Sequence, residues 1–271
     1  MNEMKSVAKR ILPSGMIHSI GSALDWFERL PEIPSAYLHP WRRQSVQGLQ
    51  ALWNAHEGER CFILGNGPSL AKTDLSRLKN EYTMGLNRIY LMFPELGYQT
   101  SYYLSINDLV IEQCAADIQK LTIPRFIAWR SHKWLQPDPN LFFLYTSYTG
   151  PRFSKQAMGR LWEGATVTFV ALQMAYFLGF QEVILIGVDH NFVSKGKPNT
   201  TVVSAGDDPN HFSPAYFGKG FRWQLPDLGT SEKAYQLAKE AFENTGRKVM
   251  DATIEGKLTV FPKTDYDRLF K

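Results

Sequence analysis

Arg60-Cys61-Phe62-Ile63-Leu64-Gly65-Asn66-Gly67-Pro68-Ser69-Leu70 decides how this chain is read. The run 61–64 is apolar without polar alternation, which suits a strand buried on both faces of a parallel sheet. Two glycines come at once after it, allowing a sharp turn and a close approach of a ligand to the main chain. Pro68 lacks an N–H and suits a first helical position. Strand, glycine turn and helix start together form the geometry that offers backbone N–H groups to a phosphate. The motif is neither GxGxxG nor a Walker loop, because no Gly-Lys-Ser/Thr comes after it. A tight strand-to-helix turn with no ligand is the alternative.

Working outward, the same texture repeats. Apolar runs at 82–86, 102–106, 125–129, 141–145 and 182–187 read as strands. Helical patterns at 41–56, 109–118, 166–178 and 231–245 separate or flank them, and 74–78 reads as a short helical turn. The segment 166–178 is apolar on every side and should be buried. Strands alternating with helices predict a doubly wound, mostly parallel α/β sheet. Two further short strands are expected at 249–253 and 258–261. Residues 191–229 lack periodicity and carry Gly, Pro, Asn, Asp, His and aromatics. A stretch of that length is a lid, a binding loop or disorder. Its aromatic load points to an ordered lid.

Residues 1–58 read as an N-terminal helical extension, and 59–271 as the main domain with its lid at 191–229. In the extension, Ile17, Ile20, Leu24 and Phe27 share one helical face behind a Ser14 cap. That face packs on the main domain or on a second copy in a homo-oligomer. Alternatively, it lies at the membrane surface beside Lys5, Lys9 and Arg10. Pro31, Pro34 and Pro40 mark a linker.

Composition narrows the classes. The chain has 271 residues, with 44% hydrophobic and 13% aromatic content, enough for a sizeable core. A net charge of +4 spread along the chain is too mild to argue for nucleic acid, so none is expected as a partner, and it is compatible with anionic substrates. The two cysteines, Cys61 and Cys114, make no metal-ligand spacing, and one lies in the central strand, so a reducing cytoplasm is the expected compartment. The longest apolar stretch, 167–180, falls short of a membrane span. Pro13, Gly15 and His18 interrupt what would be the apolar core of a signal peptide, so no cleaved signal is expected.

In an open parallel sheet, ligands bind beyond the carboxyl ends of the strands. Those ends carry Gly65, Asn66, Gly67, Pro68 and Ser69, then Asn87 and Arg88, then Asn107 and Asp108, then Asp189 and His190. The lid adds His211, Lys219 and Arg222. Asn offers both a donor and an acceptor to a ribose or a base edge, while Arg or Lys offsets phosphate charge. Imidazole is the side chain best suited to a general base at neutral pH, and His190 and His211 are the candidates placed for it. Each residue also has a plain structural reading: Asn87 and Asn107 satisfy turns, Asp189 caps the segment C-terminal to it, and each histidine is a loop residue. The convergence at the strand ends carries the argument.

These residues bring families to view. Ile63-Leu-Gly-Asn-Gly-Pro-Ser-Leu70, Asp74-Leu-Ser-Arg-Leu78 and Asn87 resemble the start of the bacterial sialyltransferases of variant GT-A, Rossmann-like fold. The stretch 171–189 resembles their matching helix and strand. Residues 60–271 look closer still to a bacterial family described as 6-hydroxymethylpterin diphosphokinase MptE-like, through Gly187-Val-Asp-His190, Asp208-Pro-Asn-His-Phe212, Tyr216-Phe-Gly-Lys-Gly220, Pro226-Asp-Leu-Gly-Thr-Ser-Glu232 and Asp251-Ala-Thr253. The sialyltransferase resemblance implies that Asn66, Gly67, Ser69 and Asn87 contact a CMP-sugar without metal. It places the hydroxyls of Thr166 or Thr168 near a family serine. The lid departs from it: the family's catalytic histidine falls near Pro226, and His211 is the nearest lid alternative. His190 or Asn191 stands where a phosphate-binding tyrosine does, and His190 with Lys219 or Arg222 would take over as phosphate partners.

Three readings are open. The first is a cytoplasmic glycosyltransferase, free or peripheral at the inner face of the membrane, that takes a nucleotide-sugar donor and a glycan acceptor for a surface glycan. It needs no cofactor and uses His211, with His190 and Asp189, as its catalytic set. The second is a diphosphokinase using ATP with Mg²⁺ held by Asp108 and Asp189, with Asp207 and Asp208 further off. The third is a non-enzymatic nucleotide-binding or scaffold domain.

Overall fold

The structure is a computed structural model that describes residue 30 and residues 32–148, 150–193 and 196–271. The expected amphipathic helix around Ile17 to Phe27 lies outside the described residues. The central strand β1 (Arg60–Leu64) is buried on both faces. Cys61 and Ile63 enter the core on one side of the sheet, Phe62 and Leu64 the core on the other. That is the period-two alternation of a strand covered twice.

Eight strands form one sheet: β1, β2 (Tyr82–Leu86), β3 (Tyr102–Ser105), β4 (Arg125–Ala128), β5 (Leu141–Ser147), β6 (Arg160–Trp162), β7 (Glu182–Ile186) and β10 (Lys248–Asp251). Their order is β10-β7-β1-β2-β3-β4-β5-β6, and every pairing is parallel. The fold is the α/β, Rossmann-like class expected. The chain builds outward from β1 to β6 on one side, then crosses back to lay β7 and β10 on the other. The switch therefore falls between β1 and β7.

One face is covered by helices α4 (Val167–Leu178) and α5 (Leu228–Glu243), the other by α3 (Asp108–Lys120) with the lid and the C-terminal turn. Among the described residues, two helices precede β1: α1 (Glu32–Leu38) and α2 (Pro40–Leu52). α2 runs along the first half of β5, whose outer edge β6 does not reach. There Ser45 Oγ accepts the Phe143 N–H at 2.9 Å, and Arg42 donates to Met158 O at 2.8 Å. A buried strand edge needs such partners.

Four details correct the expectations. The segment expected as a linker is helical, with Pro34 inside α1 and Pro40 opening α2. The segment 258–261 is not a strand; Leu258 and Phe261 are buried anchors of a loop. The three-residue β6 was not anticipated. The lid contains an antiparallel hairpin, β8 (Thr201–Val203) with β9 (Arg222–Gln224). Among the described residues, no helix is long and apolar enough to cross a membrane.

Candidate functional site

At the switch point the turn after β1 lies against the turn after β7. Gly65 N donates to Ile186 O at 2.8 Å and Gly67 N to Gly187 O at 2.9 Å. Contact is so close that a Cβ on Gly65 would stand 2.2 Å from Gly187 O, and one on Gly67 1.9 Å from Asp189 Oδ2. Asp189 reaches across to Ser69, accepting its N–H at 3.0 Å and its hydroxyl at 2.6 Å. This corrects the phosphate-cradle expectation: the N–H groups of Gly65, Gly67 and Ser69 are taken from within the protein, and Pro68 has none. Asp189 supplies the negative charge that the start of the short Pro68–Lys72 helix favours. Pro68 and Ser69 lie behind the turn, outside the crevice.

A crevice of about 230 Å³ opens above these turns. Of the expected residues, it brings together Gly65, Asn66 and Gly67 with Asn87, Asn107, Thr166 and Thr168. Asp189, His190 and His211 also line it. Asn66 is buried, and its Oδ1 has no protein partner. A buried acceptor left unmade is costly, so a ligand hydroxyl or N–H fits there. Asn87 sits at φ +47°, and its Oδ1 accepts the Ser105 hydroxyl at 3.0 Å, which leaves its amide NH₂ as the donor for a ligand. Asn107 caps α3, accepting Leu109 N at 3.0 Å, and extends its NH₂ toward Gln224 of the lid. Thr166 caps α4 in the same way and lies 3.3 Å from the Tyr235 hydroxyl.

Both histidines are held by carboxylates. His211 Nδ1 lies 2.7 Å from Asp208 Oδ2, a carboxylate that is itself buried. A carboxylate only accepts, so Nδ1 carries the proton and Nε2 is the ring nitrogen left for a ligand. The imidazole lies flat on Tyr216, ring centroids 4.0 Å apart, which fixes its plane. His190 Nε2 meets Glu232 Oε1 of α5 at 2.9 Å, from a backbone at φ +54°. Four of the six described non-glycine residues with positive φ line the crevice: Asn87, Ala165, His190 and Asn199. Such conformations are costly and gather where the surroundings enforce them.

Arg88, Asp108, Lys219 and Arg222 do not line the crevice. Arg88 turns under the lid, its guanidinium 5.2 Å from the Phe221 ring centre and its Nη1 3.4 Å from Ala215 O. Arg222 points outward to Glu112 at 2.8 Å, and Lys219 is exposed. Asp108, itself partly exposed, belongs to a charge network beside the crevice: Arg130 donates to it at 2.8 Å, Ser131 at 2.6 Å. Arg130 also pairs with Glu163 and reaches Ile106 O at 2.5 Å. This network ties the ends of β3, β4, β5 and β6 together, and Glu163 puts one carboxylate on the crevice wall. Among the described lining residues there is no Lys or Arg.

Sequence reasoning overlooked Asp208 as the partner of His211, Glu232 as the partner of His190, and the Arg130–Glu163 pair. Asp208 had a signal: an Asp three residues before a lid histidine, around a proline. Arg130 and Glu163 are 33 positions apart and meet only through the sheet order.

Residues 38–195 match the family described as 6-hydroxymethylpterin diphosphokinase MptE-like. Among solved structures, the chain is similar to the MAf glycosyltransferase from Magnetospirillum magneticum AMB-1, at 14% identity and a TM-score of 0.48, over 82% of this chain and 38% of that one. The chain thus spans less than half of that protein's length. No curated protein sequence matches it.

Proposed function

The chain belongs to the 6-hydroxymethylpterin diphosphokinase MptE-like family, matched over more than half its length, and from that premise we propose that it is a glycosyltransferase working on a nucleotide-activated sugar, with a CMP-sugar as the favoured donor. One observation carries the reading. The Asp208–His211 pair presents an acceptor nitrogen to the same crevice in which Asn66 Oδ1 is buried without a partner. The first is what a hydroxyl nucleophile requires, the second what a hydroxyl-rich donor satisfies.

In this reading Asn66 and Asn87 orient the donor, one accepting and one donating. The acceptor hydroxyl gives its proton to His211 Nε2 as its oxygen bonds to the anomeric carbon. The bond from that carbon to the phosphate oxygen breaks, and the electron pair leaves with the nucleotide. Asp208 stabilises the imidazolium that forms. His190, held by Glu232, is the cation for the leaving phosphate when protonated. Asp189 acts through Ser69, keeping the turn of Asn66 in place. The reading assigns no metal. A glycan acceptor for the cell surface, cytoplasmic residence, membrane contact through the N-terminal segment and homo-oligomerisation are parts of the same proposal.

The family description favours a second reading, diphosphate transfer from ATP to a hydroxymethyl group. Its Mg²⁺ would draw on Asp108 and Asp189. Asp189 already holds Ser69 with both oxygens and Asp108 holds Arg130 and Ser131 with both, so each would offer Mg²⁺ only its second lone pairs.

A thermal-shift panel separates the two. CMP, CDP, UDP, GDP, ATP and CMP-activated sugars are each tested with and without Mg²⁺. A ligand bound only by the native state stabilises it by about 2.7 kcal/mol at a hundredfold excess over Kd. The expected result is a metal-independent shift with CMP or a CMP-sugar that is lost in Asn66→Ala. A shift confined to ATP with Mg²⁺ would overturn the proposal in favour of diphosphate transfer. Silence across the panel would move the chain toward a binding or scaffold role.

A further inference from the structure

Four groups in and under the lid form one column. The Arg88 guanidinium lies 5.2 Å from the ring centre of Phe221. Phe221 stacks on Phe217 at 4.7 Å and 20°, and Phe217 on Trp223 at 5.6 Å and 27°. The cation closes the far end of the column. At the near end Phe217 and Trp223 line the crevice, and Trp223 is only half-buried.

Three buried aliphatic side chains, Leu86, Ile106 and Val110, line the same crevice from the ends of β2 and β3 and the first turn of α3. Aromatic rings from the lid and aliphatic groups from the sheet thus share one cavity. Carboxamides stand among them: Asn87, Asn107 and Gln224. Flat faces with directional polar groups at the edge are what a planar heterocycle requires, since its faces are apolar and its edge hydrogen-bonds.

Trp223 is also held in place. The Gln113 side chain of α3 clasps the main chain of Arg222, donating to its carbonyl at 2.9 Å and accepting its N–H at 2.9 Å. The Arg222 guanidinium adds a bond to Glu112 at 2.8 Å. A platform fixed before binding loses less entropy when a ligand arrives.

We propose that Trp223, backed by Phe217, is the stacking platform for the planar heterocycle of the ligand, so that the lid reads the base while the strand ends hold the sugar. The inference rests on the nucleotide reading above. A nucleobase and a pterin share this chemistry, and the test separates them.

Isothermal titration of the full chain compares wild type, Trp223→Leu and Trp223→Phe against CMP, ribose 5-phosphate and 6-hydroxymethylpterin. Stacking contributions of the usual size predict that Trp223→Leu weakens CMP by roughly tenfold or more. Trp223→Phe keeps most of the affinity, and ribose 5-phosphate, which has no base, binds all three proteins alike. CMP binding unchanged in Trp223→Leu overturns the platform and leaves the nucleotide reading standing. An equal loss for CMP and ribose 5-phosphate also overturns the platform, because it marks a general disturbance of the lid. Binding of 6-hydroxymethylpterin rather than CMP, with the same dependence on Trp223, keeps the platform and overturns the nucleotide reading. No binding of either heterocycle by wild type overturns both.

Discussion

His211 and Asp208 show how a residue acquires a role from its neighbours. The neutral imidazole of an unheld loop histidine exchanges between two tautomers. Burying Asp208 against Nδ1 selects one of them, making Nδ1 a fixed donor and Nε2 an acceptor. His211→Ala is expected to lower the rate of CMP release from a CMP-sugar by about 10²–10⁴ while CMP affinity stays as it was. Asp208→Asn should lower kcat with KM largely kept, because it leaves the imidazole in place and removes the charge that supports it. A rate untouched by His211→Ala would remove it as the base. At this scale, Asn66, Asn87, His190 and His211 were legible as crevice residues, because strand ends and a lid are readable from pattern. The directions taken by Arg88, Asp108 and Arg222 were not. A long side chain at a strand end can turn inward or outward, and packing decides: the aromatic underside of the lid draws Arg88, Arg130 draws Asp108, and Glu112 draws Arg222.

The element that organises the site is the pair of turns after β1 and β7. Its glycines were legible, but the reason for them was not. They were expected to admit a phosphate to the main chain, whereas Gly67 makes room for the carboxylate of Asp189. Gly67→Ala places a methyl group where that oxygen lies, so the Asp189–Ser69 bonds must break or the turns must part. The expected cost is about 1–3 kcal/mol, the range for overpacking a filled site, read from the urea midpoint, and Asn66-dependent ligand binding should be lost with it. An unchanged midpoint would show that the turns are free to separate. Short elements escaped the sequence reading for a related reason. β6, β8 and β9 have three residues each, too few to show a period, and exist because a neighbouring edge or hairpin partner pairs with them. Leu258 and Phe261 show the converse: apolar residues that anchor a loop in the core look like a strand.

For the whole molecule, burial on both faces of the sheet also sets the response to alkali. Tyr90, Tyr102, Tyr103, Tyr216, Tyr235 and Tyr266 are buried and held above the ordinary phenol value of 10.0, first of all by desolvation; Tyr102 is pushed up to about 12. Well below pH 10 these phenols are neutral in both the folded and unfolded chain and add no pH dependence to stability. Above it the unfolded chain loses protons that the folded one keeps, so stability falls as pH climbs toward 12 and beyond. Arg42, lowered to about 10 by burial, works in the opposite sense but is one group against six. Apart from the absorbance of exposed tyrosines such as Tyr37, the phenolate signal of these six should rise together with the loss of circular dichroism above about pH 10. Its rise with the fold intact would contradict this. Sequence alone determined the class of the fold, because apolar runs of strand length between helical periods bury themselves in one way, as a covered parallel sheet. It also determined which strand ends carry polar groups. Only the tertiary structure decided that β7 lies beside β1, since strand order depends on pairings between residues more than a hundred positions apart. That order sets Asp189 against Ser69, joins Arg130 to Glu163 and carries His211 over Asn66, and it turns a row of strand ends into one crevice.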